Sequence, residues 1–233
     1  DLVNGRSSAY DDNGHGTHVT GTAAAVANNG KGIAGIAPGV AVGGVKVLNR
    51  AGSGTWSAVA SGIVRCADAG SHVESLSLGG GPSQVLADAI AYASSRGVVI
   101  VAAAGNGGPC TNCVEYPAKY PAVVAVSCTD TANAFCTFSS EGPEIDLAAP
   151  GKNIVSTWAG VNPCNKRTAN TCYAQISGTS MSTPHVAGIA ALYLSTHPGA
   201  SAAGIEFALK SGARDLGMSA TRQGAGLVQG SVV

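Results

Sequence analysis

The stretch Gln175-Ile-Ser-Gly-Thr-Ser-Met-Ser-Thr-Pro-His-Val-Ala-Gly-Ile-Ala-Ala-Leu192 decides how the chain reads. It begins small and polar and turns into an almost unbroken small-apolar run. Proline is tolerated in the first turn of a helix, so Pro184 sets a helix start close to Ser180. The run behind it is apolar nearly all round, which predicts a helix buried in the core. Ser180 then lies at the tip of that helix, where N–H groups lack intrahelical partners and the dipole favours negative charge. A serine there suits a nucleophile whose reaction develops an oxyanion; a plain helix cap is the other use of such a residue.

Outward from this helix the chain alternates. Helices are expected over 15–27, 55–67, 83–95, 180–195 and 202–210, and strands over 40–48, 73–78, 98–104 and 123–126. Val98-Val-Ile-Val-Ala-Ala-Ala104 is a continuous apolar run of the kind buried on both faces. Short Gly-rich connections between alternating elements predict an α/β fold in one domain spanning 1–233: a mostly parallel central sheet with helices on both faces. Gly30-Lys-Gly-Ile-Ala-Gly35 matches the dinucleotide fingerprint. A helix precedes it and a strand follows, the reverse of what that motif needs, so it carries no weight as a nucleotide site.

The 233 residues carry zero formal net charge and only 11% charged residues, which argues against nucleic-acid and membrane partners. With 45% hydrophobic residues, the 33 glycines signal tight turns and close backbone approach rather than disorder. Seven cysteines fit a mature secreted protein. Short-range pairing of Cys110 with Cys113, Cys128 with Cys136 and Cys164 with Cys172 is the preferred arrangement, leaving Cys66 free. Six cysteines permit 15 pairings, and one C-x-x-C keeps zinc as a weak rival.

Three strings carry chemistry: Gly178-Thr-Ser-Met-Ser-Thr-Pro-His185, His15-Gly-Thr-His-Val19 and Val101-Ala-Ala-Ala-Gly-Asn-Gly107. Together they resemble the nucleophile, histidine and oxyanion motifs of the subtilisin-like serine proteases, in chain order and over essentially the whole chain. The resemblance implies a subtilisin-like three-layer fold and a secreted, monomeric serine endopeptidase acting on polypeptides. It makes Ser180 the nucleophile, His15 the general base and Asn106 the oxyanion donor, with His18 in support. The other reading is a protease-fold module that binds peptides without cleaving them. Ser77, Leu78 and Gly79 with Gly52, Ser53 and Gly54 resemble the two segments that pair with substrate as an added strand. Trp56 matches the aromatic position beside the second. Ala103 and Gly105 resemble pocket walls, and Glu115, before Tyr116-Pro117, the pocket base. A carboxylate there predicts a shift toward basic P1 residues; solvent exposure or pairing with Lys119 is the alternative.

The resemblance also implies structural Ca²⁺. Ala27-Asn-Asn-Gly-Lys-Gly-Ile33 is similar to the family's calcium loop, giving carbonyls of Ala27, Lys31 and Ile33 with side chains of Asn29 and Asp1 as ligands. A second, weaker site is expected at the carbonyls of Ala118, Tyr120 and Val123, with Asp146 as its carboxylate. One feature departs from the family. Its triad order is Asp, His, Ser, yet no Asp-Thr-Gly or Asp-Ser-Gly string precedes His15. Asp11 and Asp12 read as cap residues, and Asp68-Ala-Gly70 as a helix end. The expectation is a peptidase domain lacking the N-terminal segment that carries the triad aspartate, nearly inactive without that segment as a partner.

Overall fold

The computed structural model describes residues 1–159 and 173–232. At its centre is a four-stranded, wholly parallel sheet in the order β1 (Val73–Leu76), β2 (Val99–Ala103), β3 (Val124–Thr129), β4 (Ile145–Pro150). Alternate residues of β2 leave for opposite faces, as period-two strands require. Ile100 and Ala102 join Val59 and Ile63 of α2 (Trp56–Asp68) and Leu86 and Ile90 of α3 (Gln84–Ser95) in one core. Val99 and Val101 join Val186 and Ile189 of α4 (Thr179–Thr196) and Ile205 and Leu209 of α5 (Ala202–Ser211) in the other. Helix, sheet and helix therefore form the three expected layers. The first helix, α1 (His15–Ala24), packs on α4, and an antiparallel pair, β5 (Ile154–Thr157) with β6 (Tyr173–Ile176), packs on α1. A short α6 (Ala220–Gln223) lies against β4.

The strand expected over 40–48 does not form. Residues 40–46 have no regular secondary structure, and Val40 and Val42 are exposed at 39% and 57%. A strand exists only through its ladder, and an apolar β-branched run without a neighbour supplies none. These residues instead flank a groove of about 1710 Å³ that also borders β1. The β1 edge facing the groove is unpaired among the described residues, whereas the outer edge of β4 is bridged by Gly224 and Leu227. Strands β4, β5 and β6 were not expected.

Both near-neighbour disulfides are present, Cys110–Cys113 and Cys128–Cys136, and Cys66 is free. Cys164 and Cys172 lie outside the described residues. No described helix is long and apolar enough to cross a membrane.

Candidate active site

Helix α4 starts at Thr179, so Ser180 is its second residue. Pro184 sits four residues further on and has no N–H for the Ser180 carbonyl. That carbonyl accepts the Ser77 hydroxyl instead, at 2.8 Å. In return the Ser180 hydroxyl donates to the Ser77 carbonyl over 3.4 Å, a long contact that leaves it free to turn.

Asn106 follows the carboxyl end of β2, the end of an open parallel sheet where ligands bind. Its Oδ1 accepts from the Thr179 N–H at 2.9 Å and the Thr179 hydroxyl at 3.1 Å. The Thr179 hydroxyl oxygen in turn accepts from the Gly105 N–H at 3.2 Å. A backbone N–H can only donate, so these bonds fix which end of the amide is oxygen. The Nδ2 is left as an exposed donor beside the first turn of α4. Thr179 is thus a site residue that sequence reading passed over. It stands inside the quoted nucleophile motif, but only the fold brings it against Asn106.

His15 is the first residue of α1 and lines the groove together with Ser77 and Gly79. Burial pulls its pKa below the ordinary value and His18 adds to this, while Asp11 pulls the other way. The imidazole is therefore neutral and able to take a proton at neutral pH. Among the described residues no hydrogen bond joins its ring to Ser180 or to a carboxylate. Asp11 cannot serve: its oxygens accept the N–H groups of Asn13, Gly14 and Thr17 and the Thr17 hydroxyl, all at 2.6–3.0 Å. These bonds cap the start of α1, as expected of Asp11. Asp12 pairs with Lys46 at 2.6 Å. His18 is fully buried; its Nε2–H donates to the carbonyls of Ile154 and Ala174, both at 3.1 Å, tying α1 to the antiparallel pair.

The chain leaving β1 runs through Ser77-Leu78-Gly79 to Gly80, which exchanges two 3.0 Å backbone bonds with Tyr116. This bridge sets Glu115 against Gly79. A Cβ built on Gly79 would lie 2.3 Å from Glu115 Oε2, and one on Gly105 would lie 2.8 Å from its Cδ. The Glu115 side chain therefore occupies the slot between these two glycines, with Ala103 at the end of β2 two residues before Gly105. Lys119 pairs with Glu144 at 3.2 Å, not with Glu115. Gly52, Ser53 and Gly54 are exposed on the groove, their turn held by Asn49 Oδ1. Trp56 opens α2 with its ring against Gly80, and Leu78 lines the same groove.

The expected cation ligands divide. In the loop 27–33, Asn28, Gly30 and Gly32 have φ of 59°, 70° and 51°, and Asn29 Oδ1 accepts the Lys31 N–H at 2.9 Å. Ala27 and Ile33 flank that turn. Asp1 folds its carboxylate onto Val3 and Asn4. Asp146 is engaged by protein groups. Lys210 lies 2.6 Å from one of its oxygens and the Ala125 N–H donates to the other. The Tyr120 carbonyl accepts the Val123 N–H, and Ala118 and Val123 are buried. No group of three or more His, Cys, Asp or Glu fit to hold a metal occurs among the described residues.

Residues 2–226 match the model of the subtilase family. The chain is 44% identical over 228 residues to subtilisin Savinase of Lederbergia lenta, covering 97% of this chain and 80% of that protein. It is 46% identical over 211 residues to thermitase of Thermoactinomyces vulgaris, covering 90% and 71%. A cold-adapted subtilisin-like serine proteinase of known crystal structure superposes with a TM-score of 0.83 at 38% identity, covering 98% of this chain and 77% of that one.

Proposed function

The chain belongs to the subtilase family and is a subtilisin-like serine endopeptidase, and from that premise we propose how its residues divide the work on polypeptide substrates. Ser180 attacks the peptide carbonyl, His15 takes its proton and returns it to the leaving amine, and Asn106 donates from Nδ2 to the oxyanion. The observation that carries this reading is the double hydrogen bond from Thr179 to Asn106 Oδ1, which aims the amide donor at the helix tip bearing Ser180. Substrate lies extended between 77–79 and 52–54, with Trp56 beside it. Glu115 in the Gly79–Gly105 slot favours Lys or Arg at P1 and rejects Glu; opposing desolvation keeps the preference modest.

The orienting carboxylate for His15 comes, on this reading, from an extended polypeptide strand in the groove between 40–48 and β1. The unpaired β1 edge and the exposed Val40 and Val42 support it. Mass spectrometry and N-terminal sequencing of the natural protein test it; the expected result is an associated apolar stretch ending in aspartate. Ca²⁺ in the 27–33 loop, with Asn29 and Asp1 as side-chain ligands, fits an all-oxygen donor set and supplies stability, not chemistry. We place the enzyme outside the cell, as a monomer.

Fluorophosphonate labelling tests the reaction. One adduct is expected, on Ser180, absent in Ser180→Ala. No adduct on the protein with its groove filled would leave a peptide-binding module.

A further inference from the structure

Between Asn106 and Glu115 the chain makes the loop Gly107-Gly-Pro-Cys-Thr-Asn-Cys-Val114, so one end of it holds the oxyanion donor and the other the pocket carboxylate. The flanks are well tethered. Gly107 N–H donates to Ser140 Oγ at 3.2 Å and Gly108 N–H to the Phe138 carbonyl at 2.9 Å. On the other side, Cys113 N–H donates to the Glu141 carbonyl at 3.0 Å and Glu115 N–H to the Ala104 carbonyl at 2.9 Å. Between the tethers, residues 109–112 make no hydrogen bond to the rest of the protein among the described residues, and Asn112 is left-handed at φ 53°. The covalent bond between Cys110 and Cys113 is what closes this span.

We propose that the Cys110–Cys113 disulfide is a specificity determinant: it holds Glu115 in the Gly79–Gly105 slot, and opening it releases the preference for a basic P1 residue. The proposal rests on the pocket reading of Glu115 given above. An unclosed 109–112 span has more conformations available, and the restraint on them sits two residues from Glu115. The trigger is a dithiol reductant. Its thiolate attacks one sulfur and forms a mixed disulfide; its second thiol displaces the protein sulfur. Cys110 and Cys113 leave as thiols and the reagent as its cyclic disulfide. Selectivity comes from access. Cys110 and Cys113 are half-buried, whereas Cys128 and Cys136 are 0% and 2% exposed. Cys66 does not compete by exchange, because burial pushes its thiol up to about 11.

The test compares binding of the product-like peptides Ala-Ala-Pro-Lys and Ala-Ala-Pro-Phe, which requires no turnover, before and after dithiothreitol treatment of the native protein. Alkylation and peptide mapping then locate the opened cysteines. We expect new label on Cys110 and Cys113 and a fall of about two- to fivefold in the Lys-to-Phe affinity ratio, the range of a partly exposed ion pair. Cys110→Ser/Cys113→Ser reproduces that fall and separates it from any other disulfide. In Glu115→Gln the ratio falls with the disulfide intact, and reduction adds nothing further. If Glu115→Gln lowers the ratio but reduction and the serine variant do not, the disulfide proposal is overturned and the pocket reading stands. If neither changes it, both are overturned. Label on Cys128 or Cys136 in the native protein would overturn the claimed selectivity. Should the serine variant not fold, the reduction arm on native protein still decides.

Discussion

The Ser77 hydroxyl donates to the Ser180 carbonyl at 2.8 Å, and the Ser180 hydroxyl leans back on the Ser77 carbonyl at 3.4 Å. The first bond is open to Ser77 because Pro184 has no N–H for that carbonyl. A segment leaving β1 and the tip of α4, 103 residues apart in sequence, are thereby fastened at the nucleophile.

Ser77→Ala removes the donor and leaves the half-buried carbonyl without a partner. The expected loss is about 1–3 kcal/mol, and for a chain of this size each kcal/mol lowers Tm by roughly 2–4 °C. Scanning calorimetry on both proteins measures it. An unchanged Tm would show that water replaces the hydroxyl at no cost.

Thr179→Val keeps the backbone donor to Asn106 but removes the hydroxyl that accepts from Gly105 and donates to Asn106. The amide then swings more freely, and labelling of Ser180 by a fluorophosphonate slows. Asn106→Ala sets the outer limit of about 100- to 1,000-fold, the loss found on removing this donor in a subtilisin. The valine variant should fall between wild type and Asn106→Ala; a rate equal to wild type would rule out the orienting role.

Glu74, on β1, is 5% exposed and neither carboxylate oxygen has a hydrogen-bond partner among the described residues. Burial raises its pKa from 4.5 to about 8. In the unfolded chain it ionises near 4.5, so between these values the folded state holds the extra proton. Stability is undiminished below about pH 4.5 and falls as pH rises toward 8. Glu74→Leu removes the proton and the penalty, and its advantage over wild type should grow between pH 5 and pH 8, by on the order of a few kcal/mol at most. Urea midpoints at the two pH values measure this. A pH-independent advantage would mean the carboxylate finds a partner in solution.

Asp11 behaves in the opposite sense. Burial opposes its ionisation, but hydrogen bonds from the Thr17 side chain and from the backbone of Gly14, Thr17 and Asn13 outweigh it, and its pKa falls below 3.8. Its contribution is present above that value and is lost as pH drops through the lowered one. Asp11→Ala should cost about 0.5–2 kcal/mol near neutrality, as other lost caps do, with the gap closing in acid. Thermal melts across the acid range test it.

Chelation is the last check. If the 27–33 loop binds Ca²⁺ through Asn29 and Asp1, excess EDTA lowers Tm and added Ca²⁺ restores it, because a ligand that binds only the folded state stabilises by mass action. Asn29→Ala should remove the response. An identical Tm with and without chelator would count against the site.

Local sequence was enough for the nucleophile helix, the buried β2 strand and the two short-range disulfides. Each depends on contacts within a few residues: the small-apolar run from Val186 onward, the unbroken apolar run before Asn106, cysteines close enough in chain to meet; Pro184 itself lies in the second turn of α4, not the first. Local pattern misled at 40–48, where β-branched residues read as a strand but, among the described residues, no strand lies alongside to form a ladder. It also missed β4, whose Ile145-Asp-Leu-Ala-Ala-Pro150 becomes a strand only because β3 lies beside it. The partner of Asp146, Lys210, lies 64 residues away, and that of Asn106 Oδ1, Thr179, 73 residues away. Residue types along the chain determined which chemistry was available. Which donors met which acceptors was settled by burial, because a polar group taken from water must find its partner wherever the fold has put one.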